Sequence, residues 1–139
     1  MDKKILLIGT LIGLATTSVS AMAATPWPTS IVGTWNMAAN HSTLVLNITK
    51  ESGPGTCRDI VGTLVDSVNG PSNIVGYYCS SSGRMSFLRN STSNGLTFQV
   101  FTGNLSYPGS NTYMAGVFEQ EGQPTPGEYD WFAVEQNTD

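Results

Sequence analysis

Short segments of alternating apolar and polar residues recur from about residue 31 to the end of the chain, and they restrict the fold more than any other feature. Alternation with a period of two is typical of strands that have one buried face. Clusters of Gly, Pro, Asn and Ser end each segment, because these residues favour tight turns. The pattern predicts eight strands, at 31–37, 43–49, 57–66, 73–79, 83–89, 96–104, 111–118 and 129–136.

No stretch of the sequence has helical periodicity over three turns. We therefore predict an all-β fold, an eight-stranded antiparallel up-and-down β-barrel, because closure removes the exposed sheet edges. In its second strand, Leu44, Leu46 and Ile48 are expected to face inward, and Trp35 is expected to plug one end of the barrel. A barrel of this size can hold one small ligand. A seven- or eight-stranded β-sandwich is the alternative, although it usually needs longer connections.

The first 23 residues have the features of a signal peptide. Lysines precede an apolar stretch at 5–15, and Ala21-Met22-Ala23 fits a cleavage site with small residues. We expect residues 24–139 to form one exported domain, either secreted or periplasmic. The alternative is an uncleaved membrane anchor, but the apolar stretch is short for a membrane span.

Charge and chemistry exclude several functional classes. Residues 24–139 contain four basic and nine acidic residues, a formal charge of −5, so we expect neither a nucleic-acid nor an anionic-membrane partner. The sole histidine, His41, has no Cys, His or Asp at ligand spacing, so we predict no metal site. No nucleophile elbow, phosphate loop or pair of catalytic carboxylates is recognisable. We therefore expect no catalytic residues, no cofactor and no enzymatic activity.

Two cysteines, Cys57 and Cys79, are the only ones in the chain. In a hairpin that turns at 67–70, Cys57 would lie opposite Cys79, and Thr63 opposite Asn73. An even number of cysteines in an exported protein indicates a disulfide. We predict this disulfide and expect it to stabilise the fold by about 3 kcal/mol. Two free buried thiols are the alternative.

Several short motifs occur in the order found in the avidin and streptavidin family, which the chain resembles over nearly all of residues 31–139. They are Gly33-Thr34-Trp35, Gly62-Thr63, Gly76-Tyr77, Phe101-Thr102-Gly103-Asn104 and Trp131. The resemblance implies a barrel that binds biotin, or another small hydrogen-bonding ring, at its open end. It also implies a homo-oligomer, either a dimer or a tetramer.

The same resemblance implies a set of ligand-binding positions. Ser42 matches a serine that bonds the ureido oxygen of biotin, and Asn36 lies one place nearer the tryptophan than the family's ureido asparagine. Phe101 matches an aromatic wall residue, and Trp131 matches a tryptophan that reaches the site of a neighbouring subunit. The complete set of expected ligand-binding residues is Asn36, Ser42, Leu64, Asp66, Thr97, Gln99, Phe101 and Trp131.

Departures from the family pattern predict weaker biotin binding. Leu64 replaces a tyrosine that donates to the ureido oxygen, and Asp66 replaces a hydroxyl residue. The strand-five tryptophan is replaced within residues 84–87, and the strand-seven tryptophan by Val117 or Phe118. Each lost donor or ring costs about one to a few kcal/mol. Two further hypotheses stay open: a barrel that binds or inhibits another protein through loops such as 122–127, and a member of the fold with a purely structural role.

Overall fold

The computed structural model describes residues 27–90, 98–106, 112–121 and 127–136. These residues form eight strands, and consecutive strands pair antiparallel until β8 pairs with β1 and closes the barrel. The strands are β1 (Gly33–Ala39), β2 (Ser42–Ser52), β3 (Cys57–Asp66), β4 (Gly70–Cys79), β5 (Arg84–Asn90), β6 (Phe98–Ser106), β7 (Tyr113–Glu121) and β8 (Gly127–Glu135). The predicted up-and-down barrel is confirmed, and the sandwich alternative is wrong. The part of the chain described here contains no helix that could cross a membrane.

The hairpin of β3 and β4 has the register that the sequence predicts. Cys57 lies opposite Cys79 and Thr63 opposite Asn73, and a disulfide joins the two cysteines. The alternative of two free thiols is therefore wrong. The strand β4 begins at Gly70, three residues before its predicted start at residue 73. Gly70 has a φ of 72°, a left-handed conformation that glycine adopts without steric cost, and this lets pairing begin directly after the turn.

Alternate residues of every strand fill the barrel. Leu44, Leu46 and Ile48 are all buried, as the period of β2 predicts. Across the barrel, Phe87, Phe101, Met114 and Ala133 belong to the same apolar core. Burying these side chains in one continuous interior supplies the main driving force for closure.

One end of the barrel is plugged by Trp35, as predicted. Its side chain is 1% exposed, and its indole Nε1 donates to the carbonyl oxygen of Ile31 at 3.2 Å. The hydroxyl of Tyr78 donates to the carbonyl oxygen of Pro28 at 2.7 Å, and Trp27 packs against the core. The segment before β1 therefore closes this end, which we call the plugged end.

Candidate ligand-binding site

The opposite end of the barrel contains a cavity of about 120 Å³. It lies where β1 ends, β2 begins and β3 ends, and we call this end the open end. Ala39, Asn40, Ser42 and Leu44 form the wall contributed by β1, the following turn and β2. The other wall comes from β3 and from β5 to β8, and it divides into an aromatic floor and a polar rim.

Aromatic side chains from four consecutive strands form the floor. Phe87, Phe101, Phe118 and Tyr129 are directly paired across β5, β6, β7 and β8. Their ring centroids lie 4.6, 4.8 and 5.2 Å apart along this row. The first two pairs are stacked and the third is tilted. Aromatic pairs of this kind add about 0.5–1.5 kcal/mol each beyond their buried area. Phe101, Phe118 and Tyr129 line the cavity, so its floor is a preformed apolar surface.

Phe87 and Phe118 lie among the positions where the resemblance implies tryptophans. Both lie on the inner faces of their strands, and their side chains are 1% and 4% exposed. Val117 is only partly buried and has the opposite parity in β7. A phenyl ring has no N–H donor, so these two side chains give the floor an aromatic surface and no hydrogen bond.

A row of polar side chains forms the rim directly above this floor. Arg89, Gln99 and Gln120 are paired across β5, β6 and β7. Arg89 Nη1 donates to Gln99 Oε1 at 3.0 Å, and Gln99 Nε2 donates to Gln120 Oε1 at 2.9 Å. Because strand pairing places these residues side by side, each amide is oriented by its neighbour. The rim offers both donors and acceptors to a molecule in the cavity.

Asp66 completes the rim from the end of β3. Its Oδ2 lies 3.6 Å from Arg89 Nη2, while its Oδ1 accepts from the amide of Val68 at 2.7 Å. The side chain of Asn69 also donates to Oδ2, at 3.0 Å. Burial acts to raise the pKa of Asp66, but the hydrogen bonds from Val68 and Asn69 and the charge of Arg89 outweigh it, so the pKa lies below its usual value. The rim therefore carries one fixed negative and one fixed positive charge.

The structure brings four of the expected ligand-binding residues to one cavity. Ser42, Asp66, Gln99 and Phe101 all line it. Leu64 lies on the same inner face of β3 as Asp66, but it is fully buried in the core and does not line the cavity. These placements show proximity to a cavity, and the roles of the residues in binding stay predictions.

Asn36 lies apart from the cavity. Its neighbours Trp35 and Met37 face inward, so Asn36 points to the outer face of β1. There its Oδ1 accepts from Gln136 Nε2 at 2.6 Å. Thr97, the other position expected to carry a small polar group, lies outside the described residues, as does the loop at 122–126.

Trp131 packs inside its own barrel, and its expected role at a subunit contact stays a prediction. Its side chain is 3% exposed within a single chain, and its Nε1 donates to the carbonyl oxygens of Thr102 and Val117, both at 3.1 Å. The inward-facing Gly103 makes room for it, because a Cβ there would lie 2.8 Å from Cζ2 of the indole. These contacts hold the indole within the interior of its own chain.

Three residues of the rim and floor were not expected from the sequence: Arg89, Gln120 and Tyr129. The period of two contains the signal that could have found them. Arg89 follows Phe87 by two residues, and Gln120 follows Phe118 by two. An inward phenylalanine therefore predicts an inward residue at the next position of the same parity.

Comparisons with known proteins support the architecture. No protein-family model matches the chain, and no curated protein matches it. Among solved structures, the rhizavidin–biotin complex is 20% identical, with a TM-score of 0.53, and the match covers 79% of this chain and 99% of that one. The structure of apo short afifavidin is 19% identical, with a TM-score of 0.52 and the same two coverages. Together with the closed eight-stranded barrel, this likeness shows that the chain has an avidin-like fold.

Proposed function

We propose that this protein is a binding protein without catalytic function, which holds a small ring compound in the cavity at the open end. The observation that carries the proposal is the arrangement of that cavity: a stacked aromatic floor lies beneath a hydrogen-bonded polar rim. Concave sites with apolar walls and a few convergent polar groups are typical of small-molecule binding. The likeness to a rhizavidin structure that was solved with biotin supports biotin as the first ligand to test.

The size of the cavity limits the group that enters it. Sites that enclose a drug-sized ligand usually measure about 300–1,000 Å³, whereas this cavity measures about 120 Å³. An engineered cavity of roughly 150 Å³ holds a benzene ring. A single ring with hydrogen-bonding groups is therefore the part of a ligand that this cavity accommodates. For biotin, that part would be the ureido ring.

Titration calorimetry with biotin and with the small cyclic urea imidazolidin-2-one tests the proposal. Ser42 is exposed and lines the cavity, so Ser42→Phe should obstruct it without disturbing the core. The matched control is His41→Phe, which adds the same ring at an exposed neighbouring turn residue that does not line the cavity. We expect the control to bind as the wild type does, and Ser42→Phe to bind about ten-fold more weakly or worse. Equal binding by both variants would contradict the proposal, and no binding of either compound to the wild type would exclude biotin and the cyclic urea as its ligand.

We further propose that the protein is exported and forms a homo-oligomer. The Cys57–Cys79 disulfide supports an oxidising compartment. On the outer face, Val61, Val75, Leu88 and Val100 are paired in one band across β3 to β6. Val75 is 54% exposed, and an apolar band of this kind is typical of a protein interface.

Light scattering coupled to size exclusion tests the homo-oligomer. The wild type should elute as a dimer or tetramer, and Val75→Glu should elute as a monomer because it places a charge in the apolar band. Val68→Glu is the control, since Val68 is 86% exposed in a turn outside the band. A wild type that is monomeric at micromolar concentration would contradict this part of the proposal. The hypothesis of a protein-binding loop at 122–127 stays a prediction.

A further inference from the structure

Arg89 is a buried cation that the protein pairs incompletely. It is 7% exposed and lies on the inner face of β5, where it lines the cavity at the open end. A guanidinium has five N–H donors. In the described part of the chain, its one hydrogen bond goes from Nη1 to Gln99 Oε1, at 3.0 Å. Its Nε is buried without a partner there. Unpaired donors on a buried charged group are costly, so this arrangement points to a missing acceptor.

Asp66 does not supply that acceptor. The nearest approach between the two side chains, 3.6 Å from Nη2 to Oδ2, is longer than a hydrogen bond. The oxygens of Asp66 already accept from Val68 and from the main chain and side chain of Asn69. This turn holds the carboxylate at the end of β3. It neutralises part of the charge of Arg89, but it accepts no hydrogen bond from the guanidinium.

We propose that the cavity takes a small carboxylate on a single ring, and that Arg89 is the residue that selects it. This inference rests on the proposed function and names the class of ligand for the same cavity. A carboxylate has two acceptor oxygens in the planar geometry that matches a guanidinium fork, and charge-assisted bonds of this kind are stronger than neutral ones. The ring of the ligand would then lie on Phe101 and Phe118, whose stacked faces form the floor.

Charge distinguishes this inference from the neutral urea that the family resemblance implies. Among the described residues that line the cavity, Asp66 and Arg89 are charged and the others are neutral. A neutral ring would leave the guanidinium facing a weak acceptor, whereas a carboxylate completes its pairing. The resemblance suggested no cation at this position, because Arg89 was not expected on the inner face.

Benzoate and benzamide form a matched pair of probes, since they share size and planar shape but differ in charge. We expect benzoate to bind the wild type about ten-fold more tightly than benzamide, measured by calorimetry. Arg89→Gln should abolish this preference. Arg84→Gln is the control, because it removes the same charge from an exposed residue of β5 that does not line the cavity. Circular dichroism checks that each variant keeps its strands.

Each outcome decides between the two proposals. If benzamide binds as tightly as benzoate, the inference fails but the proposed function stands. If biotin or the cyclic urea binds while neither benzoate nor benzamide does, the inference also fails and the proposed function also stands. If benzoate is preferred and Arg89→Gln keeps the preference, Arg89 is not the selecting residue. If the wild type binds none of the compounds, both proposals fail. If Arg89→Gln does not fold, the comparison of benzoate and benzamide on the wild type still decides the ligand class. Arg89→Lys then tests the residue: it keeps the charge but loses the planar fork, so it should reduce the preference for benzoate.

Discussion

The two ends of the barrel satisfy their polar groups in different ways. At the plugged end, Trp35 and Tyr78 donate to carbonyl oxygens of the main chain just before β1. At the open end, Arg89, Gln99 and Gln120 bond to one another through their side chains. A main-chain acceptor is fixed by the fold, whereas a side chain can rotate toward another partner. The polar groups at the plugged end are therefore held by the main chain, whereas those at the open end depend on side chains that can change partners.

The contrast has one exception. At the plugged end, Glu51 Oε1 accepts from the amide of Ile31 at 2.6 Å, but its Oε2 is buried without a partner among the described residues. This carboxylate is half satisfied by the main chain. Arg89 differs from it because it lines a cavity that a ligand can enter.

The largest expected effect comes from removing the plug. Trp35→Ala leaves a cavity in a site that is 1% exposed, so the free energy of unfolding should fall by about 3–5 kcal/mol. Urea denaturation measures the loss. Phe132→Ala is the control, because this side chain is 54% exposed on the outer face and its removal should cost little. A loss below about 1 kcal/mol for Trp35→Ala would show that the indole does not hold this end together.

Reducing the disulfide should have the next largest effect. Cys57 and Cys79 are 22 residues apart, and releasing a closed loop of this length costs about 3 kcal/mol in unfolding free energy. The measurement is urea denaturation with and without a thiol reductant. The double variant Cys57→Ser/Cys79→Ser should show the same loss and no further response to the reductant. Full stability after complete reduction would contradict the prediction.

A change in the rim should leave stability almost intact. Arg89→Met replaces an incompletely paired buried cation by an apolar side chain of similar length. Removing the unpaired buried Nε of Arg89 is favourable, and Asp66 keeps its hydrogen bonds from Val68 and Asn69. We therefore expect the unfolding free energy to change by at most about 1 kcal/mol. Arg84→Met, at an exposed position, serves as the comparison. If Arg89→Met loses more than about 2 kcal/mol, the rim is a structural element and the difference between the two ends disappears.

The smallest expected effect is a dependence on acid pH. The pKa of Asp66 is lowered in the folded protein, so its contribution is fully present above the unfolded value of about 4 and is lost as the pH falls through the lower folded pKa. Asp66→Asn should remove this part of the decline in unfolding free energy below about pH 4. Asn69→Ala, which deletes one donor to the carboxylate, should reduce it only in part. Identical pH profiles for Asp66→Asn and the wild type would contradict this assignment.

Local patterns in the sequence were sufficient for much of the fold. Strand pairs that follow one another along the chain depend on turns and alternation, so the eight strands could be predicted. The position of one turn predicts that Cys57 lies opposite Cys79, and the structure confirms this pairing. The boundaries were less accurate: β2 continues to Ser52 instead of residue 49.

Residues at the open end were harder to predict, because family positions were carried over without checking parity. Asn36 was expected at the ligand, yet it follows the inward Trp35 directly and must face outward. Parity alone would have excluded it. Arg89 shows the opposite error. An arginine is usually a surface residue, so its place on the inner face was not expected.

The sequence by itself determined the strand order, the disulfide and the all-β class, because each depends on interactions between residues that are near one another along the chain. Tertiary structure alone decided the composition of the cavity and the place of Trp131. Arg89 is tolerated inside because closure brings Asp66, from β3, to the same rim. Trp131 fits within its own barrel because Gly103, on β6, leaves space for its indole. Each of these contacts joins two strands that are not paired with each other, so no hairpin register encodes the distance between the two residues.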